Sequence, residues 1–76
     1  NERDRTLKKI VLDARDMEYP LPLQLSLSHL QKMTLDEYLY MLHRKNPIPL
    51  IEIAKKKEYA YLTHNHNDIW HILICK

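Results

Sequence analysis

The chain has 76 residues, no glycine, a single cysteine and a formal net charge of +2, with 45% hydrophobic and 29% charged residues. These values indicate one globular domain, and they exclude an internal disulfide or a four-cysteine iron–sulfur cluster within the chain. The lack of glycine excludes the phosphate loops of Walker and Rossmann proteins, and the charge is too small to indicate nucleic acid as a partner.

The first part of the chain predicts a strand followed by a helix. Residues 1–8 are polar and we expect them to be flexible, whereas the β-branched run at 10–13 indicates a strand. The next stretch, YPLPLQLSLSHL, is ambiguous, because its leucines alternate as in a strand and also form a helical stripe. Pro20 and Pro22 favour a helix over 21–32, since proline is tolerated in the first turn of a helix.

The second part of the chain predicts a strand, a helix and a hairpin. The run EYLYMLH indicates a strand at 37–43. Asn46 followed by a proline is typical of a helix start, and we predict a helix over 47–57 with Asn46 as its N-cap. Two strands, at 59–63 and 69–75, then flank the polar connection HNHND.

Positive backbone φ angles need special residues in a chain without glycine. Asparagine, aspartate and histidine tolerate such angles best among the remaining residue types. The candidates are Asp16, Asn46, Asn65, Asn67 and Asp68.

The order β-α-β-α-β-β predicts an α/β two-layer sandwich, with a mixed four-stranded sheet and two helices on one face. The helix between the first two strands makes them parallel, and the last two strands form an antiparallel hairpin. The second sheet face stays open. Because side chains alternate along a strand, each strand has two possible sets of residues for that face. In the second strand the set is either Tyr38, Tyr40 and Leu42 or Leu39, Met41 and His43. In the last strand it is either Trp70, Ile72 and Ile74 or Ile69, His71, Leu73 and Cys75. Every choice leaves apolar side chains exposed, which predicts an interaction surface.

The run LDARDMEYPLPL resembles the signature of the TusA/SirA sulfur-carrier superfamily, L-D-x-R-G-x-x-C-P-x-P. The matching positions are Leu12, Asp13, Arg15, Pro20 and Pro22. The later segment R-x-N-P-x-P-L and the closing hairpin resemble the cysteine-less relatives of those carriers. The resemblance covers residues 10–76 and implies the same fold, with residues 9–76 as a single TusA-like domain.

Two positions depart from the carrier signature. Asp16 stands where the family has glycine, and Tyr19 stands where the carriers have their cysteine. In the carriers that thiol begins the first helix and holds sulfur as a persulfide, which a phenol cannot do. Cys75 does not replace it, since it lies on the predicted last strand. The resemblance therefore leaves, as an alternative function, a degenerate sulfur-relay adapter that lacks the carrier cysteine.

The sequence is also similar to a family of short subunits that occupy the NuoE position of respiratory complex I in some epsilon-class bacteria. This resemblance implies a non-catalytic subunit or binding module in the peripheral arm of an NADH:quinone oxidoreductase, with other protein subunits as partners. It also implies neighbouring NADH and flavin chemistry. The expected location is cytoplasmic, at the inner membrane only through those partners, because no apolar run approaches the roughly 18 residues of a membrane span.

A cofactor site for FMN, FAD or a dinucleotide is a further expectation. Tyr19 offers a ring on which isoalloxazine or adenine could stack, and Arg15, Arg44 and Lys45 could bind phosphates. The prolines weaken the phosphate argument, because they remove N–H donors at both helix starts. The predicted cofactor-binding residues are therefore Arg15, Tyr19, Arg44 and Lys45.

Metal-binding and catalytic residues are not predicted. His64, His66 and His71, with Asp68, are the metal candidates. However, the first two histidines are expected at the tip of the hairpin and the third packed on a strand, so we interpret them as structural. No nucleophile with a neighbouring base is visible, and the chain is not expected to be an enzyme by itself.

Overall fold

The computed structural model describes residues 7–76, which form a four-stranded sheet and two helices. In chain order the elements are β1 (Lys8–Asp13), α1 (Leu21–Lys32), β2 (Glu37–His43), α2 (Ile48–Lys56), β3 (Ala60–His66) and β4 (Ile69–Cys75). The predicted order β-α-β-α-β-β is confirmed. Of the segment predicted to be flexible, residues 1–6 lie outside the described residues. Lys8 belongs instead to β1, because its N–H donates to Asp36 O across 2.8 Å at the start of the sheet pairing.

The sheet is mixed, and its strand order is β1-β2-β4-β3. Strand β1 is parallel to β2, while β4 is antiparallel to both β2 and β3. Helix α1 connects the parallel pair, since parallel neighbours need a crossover rather than a tight turn. This topology brings the C-terminal ends of β1 and β2 together at one edge of the sheet.

Both helices pack on the same face of the sheet, as predicted. The core contains Leu12, Leu39, Met41, Ile72 and Ile74 from the strands together with Leu30 from α1 and Leu50 from α2. Because side chains alternate along a strand, the opposite face carries the other residues. The structure thus decides between the two alternatives that the sequence left for each strand. The open face has Tyr38, Tyr40 and Leu42 from β2 and Ile69, His71, Leu73 and Cys75 from β4.

Helix α1 buries a serine at the centre of its inner face. Pro22, Ser26 and Leu30 are its buried residues, and the neighbouring leucines are only half-buried. Ser26 Oγ donates to Met41 Sδ across 3.1 Å. The inner face of α1 therefore contacts β2 through a small polar side chain as well as through leucine.

Two local predictions were wrong. Pro47 rather than Asn46 is the N-cap of α2, and Asn46 contributes its backbone oxygen to the N–H of Ile48 at 2.9 Å. The hairpin connection is shorter than predicted, because β3 continues to His66. The two residues that remain are Asn67 and Asp68, whose φ angles of 54° and 64° match the two-residue turn that suits twisted strands.

Positive φ angles occur at three described residues. The predictions for Asn67 and Asp68 are confirmed, whereas those for Asp16, Asn46 and Asn65 were wrong. Glu58, with φ of 61°, was not predicted. It follows the end of α2, where the chain reverses direction. Glycine usually adopts the positive φ at such a helix end, but this chain has no glycine.

Candidate functional site

The four residues predicted to bind a cofactor line one groove, although they come from two separate segments. Arg15 and Tyr19 lie between β1 and α1, and Arg44 and Lys45 lie between β2 and α2. The parallel pairing of β1 with β2 brings both segments to the same edge of the sheet. This basic groove has a volume of about 560 Å³, and its other lining residues are Asp16, Met17, Glu18 and His43.

The guanidinium of Arg15 is already paired. Its Nε donates to Asp13 Oδ1 across 2.8 Å, and its Nη2 donates to Asp13 Oδ2 across 2.7 Å. The backbone N–H of Arg15 also donates to Asp13 Oδ1. These hydrogen bonds lower the pKa of Asp13 to about 2 and raise the pKa of Arg15. An anion in the groove must therefore share Arg15 with Asp13.

The other two cations of the groove are less restrained. Arg44 Nη2 lies 3.7 Å from Asp16 Oδ1, and both side chains are exposed, so this ion pair is weak. Lys45 makes no ion pair or side-chain hydrogen bond with the rest of residues 7–76. Because Asp16 and Glu18 also line the groove, its three cations face two carboxylates. Lys45 is the cation most available to a ligand.

Tyr19 lies between the basic groove and a smaller apolar slot. Its side chain is 73% exposed, and it lines both depressions. The slot has a volume of about 120 Å³, and its other lining residues include Pro22, Leu23, Met41, Pro47, Pro49 and Leu50. A planar ring stacked on Tyr19 would therefore lie near both the cations of the groove and the apolar side chains of the slot.

The helix starts beside Tyr19 offer few backbone donors. Both helices have proline at N-cap and in the first turn, and proline has no N–H group. The N–H of Leu21 already donates to Glu18 O, and that of Ile48 donates to Asn46 O, both at 2.9 Å. A phosphate in the groove would consequently be held by side chains rather than by the helix ends.

His43 is a groove residue that the sequence did not identify. It is the last residue of β2, and it lines both the basic groove and the apolar slot. Its Nδ1 lies 3.1 Å from Ala14 O, which links the end of β2 to the segment after β1. The signal available in the sequence was its position directly before Arg44 and Lys45.

The open face of the sheet is the second candidate site. Val11 is 55% exposed and Leu62 is 63% exposed on this face. A row of polar contacts crosses the same face: Lys9 Nζ is 4.8 Å from the centre of the Tyr40 ring, and Tyr40 Oη is 2.6 Å from His71 Nδ1. The open face therefore combines exposed apolar residues with a polar row that crosses three strands.

The histidines of the hairpin belong to this open face. His64 and His66 were predicted at the hairpin tip, but they lie on β3 and project to the same side as His71. The ring centres of His64 and His66 are 6.1 Å apart, and those of His64 and His71 are 6.3 Å apart. The alternate spacing of His64 and His66 after Leu62 was the sequence signal that β3 continues.

Comparison of the chain with protein-family models, with curated proteins and with solved structures gives no match. Neither helix in the described part of the chain is long and apolar enough to cross a membrane. The fold and the surfaces define a small mixed α/β sandwich with a basic groove at one sheet edge and an open sheet face.

Proposed function

We propose that this chain is a non-catalytic binding module that docks onto another protein through the open face of its sheet. The observation that carries this proposal is the composition of that face, where Val11 and Leu62 are more than half exposed beside Tyr38, Tyr40 and Leu73. A sheet face that meets only water usually carries polar side chains at these positions. Exposed apolar clusters on small proteins commonly mark contact surfaces.

The proposed partner is a subunit of the peripheral arm of a respiratory NADH:quinone oxidoreductase, on the cytoplasmic side of the inner membrane. The expected resemblance of the sequence to short complex I subunits is the support for this partner. With one cysteine, the chain cannot provide a four-cysteine iron–sulfur cluster, so the proposed role is structural support of neighbouring subunits.

The proposal is tested by capture from the source organism. The tagged chain is extracted under mild conditions, and the proteins bound to it are identified. Val11→Asp is compared with Ile48→Asp, because both side chains are 55% exposed but only Val11 lies on the open face. We expect oxidoreductase subunits with the wild type and with Ile48→Asp, and at least a tenfold loss with Val11→Asp.

Two outcomes would contradict docking to the oxidoreductase through this face. Equal recovery with both variants would show that another surface makes the contact. Recovery of desulfurase or thiolation proteins instead would favour the sulfur-relay adapter, which the TusA-like signature at Leu12, Asp13 and Arg15 supports. Thermal unfolding of each variant checks that the aspartate has not simply unfolded the chain.

Flavin or dinucleotide binding in the basic groove is the second candidate function. It is favoured by the convergence of Arg15, Tyr19, Arg44 and Lys45 around one depression, whose volume is within the range of small-molecule sites. The ring of FMN or FAD would stack on Tyr19, and the phosphate would contact Lys45 and Arg44. With few backbone donors available, we expect dissociation constants on the order of micromolar to millimolar. Because the charges are exposed, binding should weaken as the salt concentration rises.

Titration of FMN, FAD and NADH into the pure chain, followed by backbone amide NMR, tests this second function. We expect saturable shifts confined to residues 15–23 and 44–50, and weaker binding by Lys45→Gln. Lys32→Gln is the matched control, since Lys32 is exposed at the other end of α1. Shifts that scatter over all lysines, or that inorganic phosphate reproduces fully, would refute a flavin site.

A further inference from the structure

Three histidines lie together at the hairpin end of the open face. His64 and His66 are two residues apart on β3, so both project to the same side of the sheet. His71 on β4 is the direct partner of His64 in the antiparallel register. Side chains that face each other in this way have Cβ atoms roughly 5 Å apart. The strand pairing therefore places three imidazole rings close together at one end of the open face.

The spacing of the rings is close to that of ligands on a single metal ion. On one tetrahedral zinc ion, two imidazole nitrogens are about 3.3 Å apart, and the centres of their rings are about 5 Å apart. The observed ring centres, at 6.1 Å for His64 and His66 and 6.3 Å for His64 and His71, are about 1 Å wider. His64 and His66 are exposed, so rotation of their side chains can close this difference.

The third ring is held by a neighbour. His71 is half-buried, and its Nδ1 lies 2.6 Å from Tyr40 Oη. When the Nδ1–H donates to the phenol oxygen, Nε2 carries the lone pair and is free to bind a metal. A hydrogen bond at the second ring nitrogen is the usual way in which proteins orient a metal-binding histidine.

We infer that His64, His66 and His71 bind one divalent cation of the zinc class, with Tyr40 orienting His71. Imidazole ligands suit zinc, copper and nickel, and three of them leave one coordination position for water. In the arrangement described for residues 7–76, no group of three such side chains is placed to hold a metal ion, so the site requires a change of side-chain rotamers. The site forms when the two exposed rings of β3 turn toward Nε2 of His71. This inference does not depend on the docking or flavin functions.

The test uses the untagged full chain, because a polyhistidine tag would bind the same ions. Zn²⁺ is titrated by calorimetry at neutral pH, and Co²⁺ is added separately as a probe whose visible absorption reports coordination. We expect one Zn²⁺ per chain with a dissociation constant on the order of micromolar. His64→Asn, His66→Asn and His71→Asn should each weaken binding at least tenfold. Tyr40→Phe should weaken it about tenfold, as expected for loss of an orienting hydrogen bond.

His29→Asn is the matched control, since His29 lies on α1 and outside this cluster. It should leave zinc affinity unchanged. Four results would overturn the inference: no saturable binding below about 100 micromolar, unchanged affinity in any of the three histidine variants, an equal loss in His29→Asn, or one ion per two chains. Circular dichroism of each variant confirms that the fold is retained.

Discussion

The side chain of Arg15 donates two hydrogen bonds to the carboxylate of Asp13, across 2.8 and 2.7 Å, at the point where β1 ends. The same carboxylate accepts the backbone N–H of Arg15. These contacts fix the start of the segment that leads to Tyr19 and the basic groove. The contact between Asp13 and Arg15 thus stabilises a loop, and Arg15 can serve a ligand only by weakening that loop contact.

Arg15→Gln should raise the pKa of Asp13 from about 2 toward its ordinary value of 3.8, because the hydrogen bond from the Arg15 side chain is the main cause of the shift. The folded pKa is below the unfolded one, so the stabilisation is complete above about pH 4 and is lost as the pH falls toward 2. Carbon-detected NMR of the Asp13 carboxyl group measures this. Arg44→Gln is the control and should leave Asp13 unchanged; a wild-type value near 3.8 would contradict the ion pair.

Glu58 should be stabilised by a change to glycine. It adopts φ of 61° after α2, where its N–H donates to Lys55 O at 3.1 Å and the N–H of Tyr59 donates to Ala54 O at 2.9 Å. This is the hydrogen-bond pattern of a Schellman helix end, in which glycine is preferred. Because a left-handed conformation costs non-glycine residues about 1 to 2 kcal/mol, Glu58→Gly should raise the free energy of unfolding by about 1 kcal/mol.

The matched control for this prediction is the same substitution inside the helix. Glu52 is exposed in the middle of α2, and Glu52→Gly should lower the free energy of unfolding by about 0.5 to 1 kcal/mol. Glu58→Ala separates the backbone effect from the lost charge. Urea unfolding measures all three variants. A loss of stability in Glu58→Gly would contradict the positive φ.

The buried contact between Ser26 and Met41 predicts a coupled pair of substitutions. Met41→Leu should cost about 1 to 3 kcal/mol, because it leaves the Ser26 hydroxyl buried without the sulfur atom that it contacts at 3.1 Å. Ser26→Ala removes the hydroxyl itself and should cost less than 1 kcal/mol. The double variant should be more stable than the sum of the two single effects predicts, as measured by urea unfolding. Simple additivity would show that the contact contributes nothing.

Tyr19 predicts that the chain does not carry sulfur. Incubation of a Cys75→Ser variant with a desulfurase and cysteine should give no persulfide by mass spectrometry, because a phenol has no thiol to receive the sulfur. Tyr19→Cys in the same background should gain one sulfur atom if the segment before α1 acts as a sulfur acceptor. Residue 19 is 73% exposed, so a thiol there is accessible to the desulfurase. Sulfur retained at Tyr19 itself would be incompatible with the proposed absence of carrier activity.

The sequence alone determined the elements and their order, because the signals for these features are local. Pro20 and Pro22 selected a helix over a strand, and α1 begins and ends at the residues predicted. Asn67 and Asp68 marked the hairpin turn, since short polar side chains tolerate positive φ. The parallel pairing of the first two strands was also predicted, and in the structure this pairing brings Arg15, Tyr19, Arg44 and Lys45 to one groove.

Only the tertiary structure decided which side of each strand is covered. Both sets of alternating residues in β2 and β4 are apolar enough for the core, so their pattern could not distinguish the two faces. Packing of the helices buried Leu39, Met41, Ile72 and Ile74, and this left Tyr40 and His71 on the open face. It also gave Glu58 a positive φ, because the chain after α2 must turn back into β3 whatever residue stands there.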